Sequence, residues 1–221
     1  MRFAQEISEL DQEFQRIKSD SHFFDSHAIT SSAGARERAA AHRSACYVWL
    51  AAILERITKN SLQAAFREIN ARALPLKEIR LSLFSLICEP EISALSAKSR
   101  AKSWETRASI FGKAFVDSPA ELAEEVLPLD GKTIRPEHFD VIWQVLGLSG
   151  ESLPSPRHRF ALTDLANGRN ELAHGETGVV AFGRKKANSD LIRLVQHIDE
   201  TTVHFLTSLD YYLDNFGFRR Q

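Results

Sequence analysis

At 221 residues and 24.9 kDa, the chain is long enough to bury a real core as one domain, or as a core with a helical appendage. Hydrophobic and charged shares of 43% and 26% fit a soluble globular protein, and a net charge of −1 excludes one that coats nucleic acid by bulk electrostatics. Two cysteines, Cys46 and Cys88, exclude a disulfide framework and read as buried thiols. The amino terminus MRFAQEISELDQEFQRIK carries no apolar signal core, and no window approaches the roughly 18 apolar residues that span a bilayer. A cytoplasmic protein without membrane contact is expected.

Phe3, Ile7, Leu10, Phe14 and Ile17 step at three and four and predict a first amphipathic helix, fading into a Ser/His-rich loop over 19–34. From Ala35 to Leu74 the chain is Ala-rich and helical in period. Tyr47, Leu50, Ile53, Leu54 and Ile57 form its clearest stripe, and Asn60-Ser61 is a candidate break. Pro75 opens a further helix with Ile79, Leu83, Leu86 and Ile87 apolar, since its missing N–H has no partner in a first turn. Residues 89–103 are polar and small, the best candidate for a mobile excursion. Trp104–Phe115, Ala120–Val126 and Pro136–Leu146 read as short helices separated by Ser118-Pro119, Pro128 and Asp130-Gly131.

Pro154-Ser155-Pro156 then leads into a helix with Phe160, Leu162, Leu165 and Leu172 apolar. After it, Val179 to Phe182 could pair as a small strand or β-hairpin. Leu191, Leu194, Val195, Ile198, Phe205 and Leu209 mark a long last helix. The sequence has no strand-rich block, internal repeat or low-complexity tract. The expected fold class is all-α: an antiparallel helical bundle with helical insertions, formed as one helical domain over 1–221, to which residues 1–34 are appended.

The most informative stretch is Gly168-Arg169-Asn170-Glu171-Leu172-Ala173-His174-Gly175. It sets a permanent cation and a titratable imidazole close together at a helix end. With 19 Arg and 8 His, Arg-x4-His is expected about 0.7 times by chance and occurs once, so spacing alone carries little. Context adds weight, because an apolar stripe precedes the pair and Gly175 follows where a helix should stop. A bland reading stands beside it: a His in the last turn followed by Gly is a common helix C-terminus. Five positions also turn about 140°, so Arg169 and His174 do not share a face of an ideal helix, whereas Asn170 and His174 do. A catalytic pair therefore needs a bending Arg, a distorted last turn or a second copy of the motif.

The block Arg169 to Gly175 resembles the signature of the HEPN superfamily, the Arg-x4-6-His ribonuclease helical domains. The polar residue after the Arg, the small residue before the His and the Gly after it all match. Pro136 to Gly147 followed by a short loop and the motif helix is similar in order to HEPN members encoded beside toxin and phage-defence genes. Ala45 to Lys59 resembles their core helix, with Glu55 in its C-terminal half. The likeness loosely covers residues 36 to 215. It implies a metal-independent endoribonuclease with Arg169 and His174 catalytic, Asn170, Glu171 and Glu55 supporting, no cofactor, an RNA substrate, a homodimer that pairs two motifs, and an antitoxin or defence-system partner. The rival is a HEPN-like module that has lost activity and binds RNA or protein; a modified toxin acted on by a transferase partner is a third reading.

Other chemistry finds less support. Basic residues cluster at Lys98 to Arg107, at Arg157 with Arg159, at Arg184 with Lys185 and Lys186, and at Arg219 with Arg220. Such clusters are usually solvated faces, but Arg157, Arg159, Arg184, Lys185 and Lys186 would form an RNA track if they converged on His174. Phosphate-binding glycine loops and serine-nucleophile signatures are missing from the sequence. His158, His197 and the other histidines show no HExxH or carboxylate partner at ligand spacing, so no metal site is expected. His197 and His204 read as packing residues, His42-Arg43 as the exposed flank of the core helix with a phosphate contact as the alternative, and Glu55 as an i,i+4 partner of Lys59 if it has no role in the site.

Overall fold

An apolar stripe that never loses its period builds the central element. In the computed structural model, which describes residues 1–30, 33–125 and 133–220, α2 runs unbroken over Ala33–Ala71. Leu50, Leu54, Ile57, Ser61, Leu62, Ala65, Phe66 and Ile69 are buried in sequence along it. The stripe passes straight through Asn60-Ser61, the expected break. Two mediocre helix formers cost about 0.5 kcal/mol each, far less than the burial of Leu62, Phe66 and Ile69 returns. At 1.5 Å per residue the 39-residue helix is about 58 Å long.

Helix α1 (Ala4–Thr30) likewise extends through the expected loop as far as Thr30; Ser31 and Ser32 lie outside the described residues. Tertiary contacts override the weak propensity. Ser21 is buried with its Oγ 3.2 Å from His42 Nε2, and Phe24 stacks on the His42 ring with centroids 4.6 Å apart. Phe3, Leu10, Phe14 and Ile17 join the same apolar cluster as α2. At its start, Arg2 binds Glu68 of α2 and Asp210 near the far end of the chain.

Two further long helices complete a four-helix core: α7 (Pro156–Ala173) and α9 (Asn188–Asp214). Cross-helix pairs fix the directions. Arg2–Glu68, Glu13–Arg56 and Ser21–His42 set α1 antiparallel to α2. His158 meets Glu200 while Asp164 shares a groove with Asp190, so α7 is antiparallel to α9. The all-α antiparallel bundle expected from the sequence is the architecture found.

Between α2 and α7 lies the helical insertion. A 3₁₀ turn at Leu76–Glu78 and the helices α3 (Leu81–Ile87), α4 (Glu89–Ser93) and α5 (Arg100–Lys113) fill it. Residues 89–103, expected as an excursion, are thus largely helical or 3₁₀. Residues 120–125 are not the expected helix; this stretch is irregular, ending in a turn, and bonded to its neighbours, with Ala120 N–H donating to the Leu74 carbonyl and Leu122 held by the Asn70 side chain. Val126, Pro128, Asp130 and Gly131 lie outside the described residues. Helix α6 (Pro136–Leu146) follows, opened by Pro136 and closed by left-handed Gly147, as the sequence implies.

The segment after the motif forms a short helix, α8 (Val179–Arg184), in place of the expected strand or hairpin. A β-rich tetrapeptide becomes helical because α2 receives its backbone directly. Ser44 Oγ donates to the Val179 carbonyl at 2.5 Å and Arg43 Nε to that of Gly183 at 3.0 Å. A Cβ on Gly183 would lie 1.8 Å from the Ala40 carbonyl oxygen. Since that neighbour is helix backbone, Gly183→Ala should destabilise the protein by about 3 kcal/mol or more, read as a lower urea midpoint beside an unchanged far-UV spectrum of the remaining fold.

Candidate active site

The motif occupies the last turn of α7, and its termination is built by the sequence itself. Gly175 takes φ of 70°. Its N–H reaches the Leu172 carbonyl at 3.2 Å and that of Glu176 reaches Glu171 at 3.1 Å, a Schellman closure. His174 is therefore the cap residue, with ψ of −5°. That value turns the following chain into the Gly175 closure and leaves the angular offset between Arg169 and His174 unchanged. Its ring is exposed and has no hydrogen-bond partner among the described residues.

Arg169 is half-buried and turns toward α2. It borders a groove of about 410 Å³ with Ser44, Ala45, Val48 and Trp49 of α2, Leu172 and Ala173 of α7, and Val179. Val48 and Trp49 are 44% and 47% exposed there, large apolar groups beside a cation. Arg169 Nη1 donates to Asn170 Oδ1 at 3.3 Å, and Thr133 Oγ1 donates to the same oxygen at 2.7 Å. Asn170 is thus tied to Arg169 and Thr133. Among the described residues no hydrogen bond links it to the imidazole, or links Arg169 to His174.

What holds this turn in place is steric. Gly168 packs flat against Tyr47 and Phe182, and a Cβ there would meet their rings at 2.5 and 2.8 Å. Tyr47 Oη donates to Asp164 Oδ2 at 2.5 Å, and Lys186 lies over the Tyr47 ring at 4.9 Å while donating to Asp164 Oδ1 at 2.7 Å. Burial, with Asp164 alongside, pushes the Tyr47 phenol far above its ordinary range, so it remains a donor.

The remaining sequence candidates divide. Glu171 bonds Lys185 at 3.4 Å, and the Thr177 hydroxyl, then Lys185 and Lys186, hold its carboxyl below the usual range. Lys185 and Lys186 therefore lie at the motif end of α7, and Arg184 nearby pairs with Glu37 at 3.0 Å. Arg157 and Arg159 belong to the opposite end, about 25 Å away along the helix axis. Arg159 is engaged by both oxygens of Asp140, at 2.9 and 3.0 Å. The five basic residues do not converge on His174. Glu55 is half-buried on α2 outside the groove lining, and among the described residues it makes no ion pair with Lys59.

His42 is buried rather than on an exposed flank, and Cys46 and Cys88 are buried free thiols, as the sequence suggests. Burial pushes the Cys46 thiol up to about 11. A different cluster is assembled that sequence spacing did not reveal: His158, His197 and Glu200 bring three ligand atoms within 4.8 Å of one another. His158 Nε2 lies 2.8 Å from Glu200 Oε2, and His197 Nδ1 lies 3.6 Å from it. The i,i+3 pair His197 and Glu200 on one helix is a legible half-signal. The third member comes from a helix about 40 residues earlier, which only the fold supplies. Trp49, Thr133 and the packing of Gly168 on Tyr47 and Phe182 are hidden from the sequence for the same reason.

With this geometry, the comparison with known proteins is specific. A family model described as MAE_28990-like HEPN matches residues 4–217, and the chain belongs to this HEPN family. Neither a curated protein nor a solved structure matches it. HEPN proteins include ribonucleases and often bind RNA and dimerise. No helix among the described residues is long and apolar enough to cross a membrane.

The buried His42 gives the fold an acid sensitivity of its own. Burial, against an opposing Asp20 and an assisting Arg43, lowers its pKa, so the folded state favours the neutral ring. The stability this contributes is present above the unfolded pKa of about 6.5 and is lost as pH falls from there through the lower folded value. His42→Gln should therefore lose less unfolding free energy than wild type between about pH 7 and pH 5, measured by urea denaturation at each pH. Parallel losses in the two proteins would refute the assignment.

Proposed function

We propose that the protein is a metal-independent endoribonuclease, the toxin or effector of a toxin–antitoxin or phage-defence system, acting through Arg169 and His174. The observation that carries this reading is the construction of the α7 end. A fixed backbone cap presents an unencumbered imidazole to solvent, while the neighbouring guanidinium borders an open groove with an exposed Trp49. Cleavage of RNA at the 2′-OH needs a base, an acid and a cation. The 2′-oxygen attacks the adjacent phosphorus and the 5′-oxygen leaves, giving a 2′,3′-cyclic phosphate and a 5′-OH.

His174 takes the 2′-OH proton or delivers one to the leaving oxygen, which an imidazole does well near neutral pH. Arg169 stays charged and steadies the phosphate oxygens as negative charge accumulates. Asn170, braced by Thr133, keeps the guanidinium aimed into the groove. Glu171 tethers Lys185 beside the motif, while Glu55 is left a supporting place in the core helix. A base such as adenine or uracil can stack on Trp49, as aromatic faces accept any base.

In wild type beside Arg169→Ala and His174→Ala, cleavage of mixed cellular RNA should persist in excess EDTA and fall by about 10²–10⁴ in either variant. Circular dichroism verifies that all three stay folded under chelation. Induced expression should slow bacterial growth with wild type and not with His174→Ala at matched protein level. Activity abolished by chelation of a folded protein, or retained by both variants, would falsify the reading.

One chain offers one imidazole, and Arg169 and His174 do not meet within it. This separation is also what favours the second reading, an inactive HEPN module that binds RNA or protein. The active form we infer is a homodimer in which two α7 ends face each other across a cleft, giving two bases and two cations. Mixed Arg169→Ala and His174→Ala chains should then regain part of the activity that each lacks alone, followed as cyclic-phosphate release. Unmixed levels of cleavage in the mixture, or a monomer by sedimentation at concentrations that cut RNA, would overturn the composite site. RNA binding without any cleavage by wild type would leave the module reading in its place.

A further inference from the structure

The N-terminal end of α7 carries chemistry that the ribonuclease reading does not use. His158 is buried at 5% exposure, and Ser155 Oγ lies 2.9 Å from its Nδ1. Its Nε2 faces Glu200 Oε2 of α9 at 2.8 Å, and the two imidazoles stand edge to face with centroids 4.9 Å apart. His197 Nδ1 is buried without a hydrogen-bond partner, since its 3.6 Å separation from Glu200 Oε2 is too long for one. A buried ring nitrogen left unsatisfied beside two other ligand atoms calls for an occupant.

We infer that His158 Nε2, His197 Nδ1 and Glu200 Oε2 form a binding site for one divalent metal ion of the zinc class. Two imidazoles and one carboxylate are the donor set that Zn²⁺ takes with a water in its fourth position, whereas Mg²⁺ and Ca²⁺ require oxygen donors. Donor atoms on a tetrahedral zinc stand about 3.3 Å apart at bond lengths of about 2.0–2.1 Å. The two separations from Glu200 Oε2, 2.8 and 3.6 Å, bracket that value, and the three residues bring one ligand atom each within 4.8 Å of one another. Small side-chain rotations close the set, Glu200 being partly exposed.

The surrounding groups are those a metal site needs. Gln196 Nε2 donates to Glu200 Oε1 at 2.8 Å, fixing the carboxylate and leaving Oε2 for the ion. The Gln196 bond, then His158 and His197, hold the Glu200 carboxyl below its usual range. The Ser155 hydroxyl serves either state of His158. It donates to Nδ1 when Nε2 carries the proton, and accepts from Nδ1–H when Nε2 ligates, the arrangement by which an outer partner sets a ligand's tautomer. His197 also borders a groove of about 710 Å³, through which the ion and its water reach the site. The bound ion staples the start of α7 to the middle of α9. His158 is about 24 Å along the helix from His174, so the site is separate from the proposed ribonuclease centre.

The test is calorimetric titration of ZnCl₂ into the full chain, stripped with EDTA and dialysed. One Zn²⁺ per chain should bind at about micromolar affinity or tighter, and the melting temperature should rise with zinc. Glu200→Gln keeps the side-chain shape and the Gln196 contact, and with His197→Ala it should weaken binding at least about tenfold; Ser155→Ala should weaken it about 10–100-fold. His204→Ala, two turns further along the same face of α9 and bonded to the Glu151 carbonyl instead, should bind as wild type. Co²⁺ should give a visible d–d absorption that Glu200→Gln loses. No saturable zinc uptake at micromolar metal, or equal uptake by wild type, Glu200→Gln and His197→Ala with all three folded, would overturn the site. Because the readout is metal binding, either result leaves the RNA-cleavage assay in EDTA to be judged on its own.

Discussion

The rest of the structure at the motif depends on one close approach of backbones, the seating of α8 on α2 where Gly183 touches the Ala40 carbonyl. No residue with a side chain fits there. Because the chain after the motif is pinned at Gly183, Phe182 is driven into the space beside Tyr47, and both rings close on Gly168. Two glycines and two aromatics thus set where the last turn of α7 stands relative to α2. Arg43 and Ser44 finish the contact by satisfying carbonyls of α8. The result is a rigid frame around a short polar motif, the condition under which an arginine and a histidine can be held to a geometry.

Electrostatics around that frame are balanced rather than strongly basic. Lys185, Lys186 and Arg184 are each matched by an acid, Glu171, Asp164 and Glu37. A nearly neutral protein of this kind does not gather polyanions from a distance. On the proposed RNA chemistry it exchanges partners at close range, a phosphate displacing Glu171 from the exposed Lys185. Association should then be modest and sensitive to salt, and selectivity would rest on the groove beside Trp49 more than on charge.

Much of this was legible in the sequence. Pro136 and Gly147 bound α6 where their backbone preferences put them, the stripe through Leu162 and Leu165 gives α7, and Gly175 ends it. The errors share a cause. Ser19 to His27, Asn60-Ser61 and Val179 to Phe182 have weak or contrary helix propensity, and each is overruled by partners distant in sequence: His42, the continuous stripe of α2, and the donors of Arg43 and Ser44. Residues 120–125 depart in the other direction, because the Leu74 carbonyl and the Asn70 side chain take up the backbone groups a helix would use. At the site, the octapeptide could be read because its residues are adjacent. Trp49, Thr133, and the union of His158 with His197 and Glu200 could not, since each needs helices brought together.

The cap at His174 has a consequence for turnover. Its backbone is held by the hydrogen bonds that close α7, while its ring is held by none among the described residues. The imidazole is in effect a swivelling group on a fixed post. On the proposed chemistry it need not hand its proton through a buried relay after each cut. It can turn outward and re-equilibrate with bulk water, so resetting the catalyst requires one bond rotation and no rearrangement of the protein.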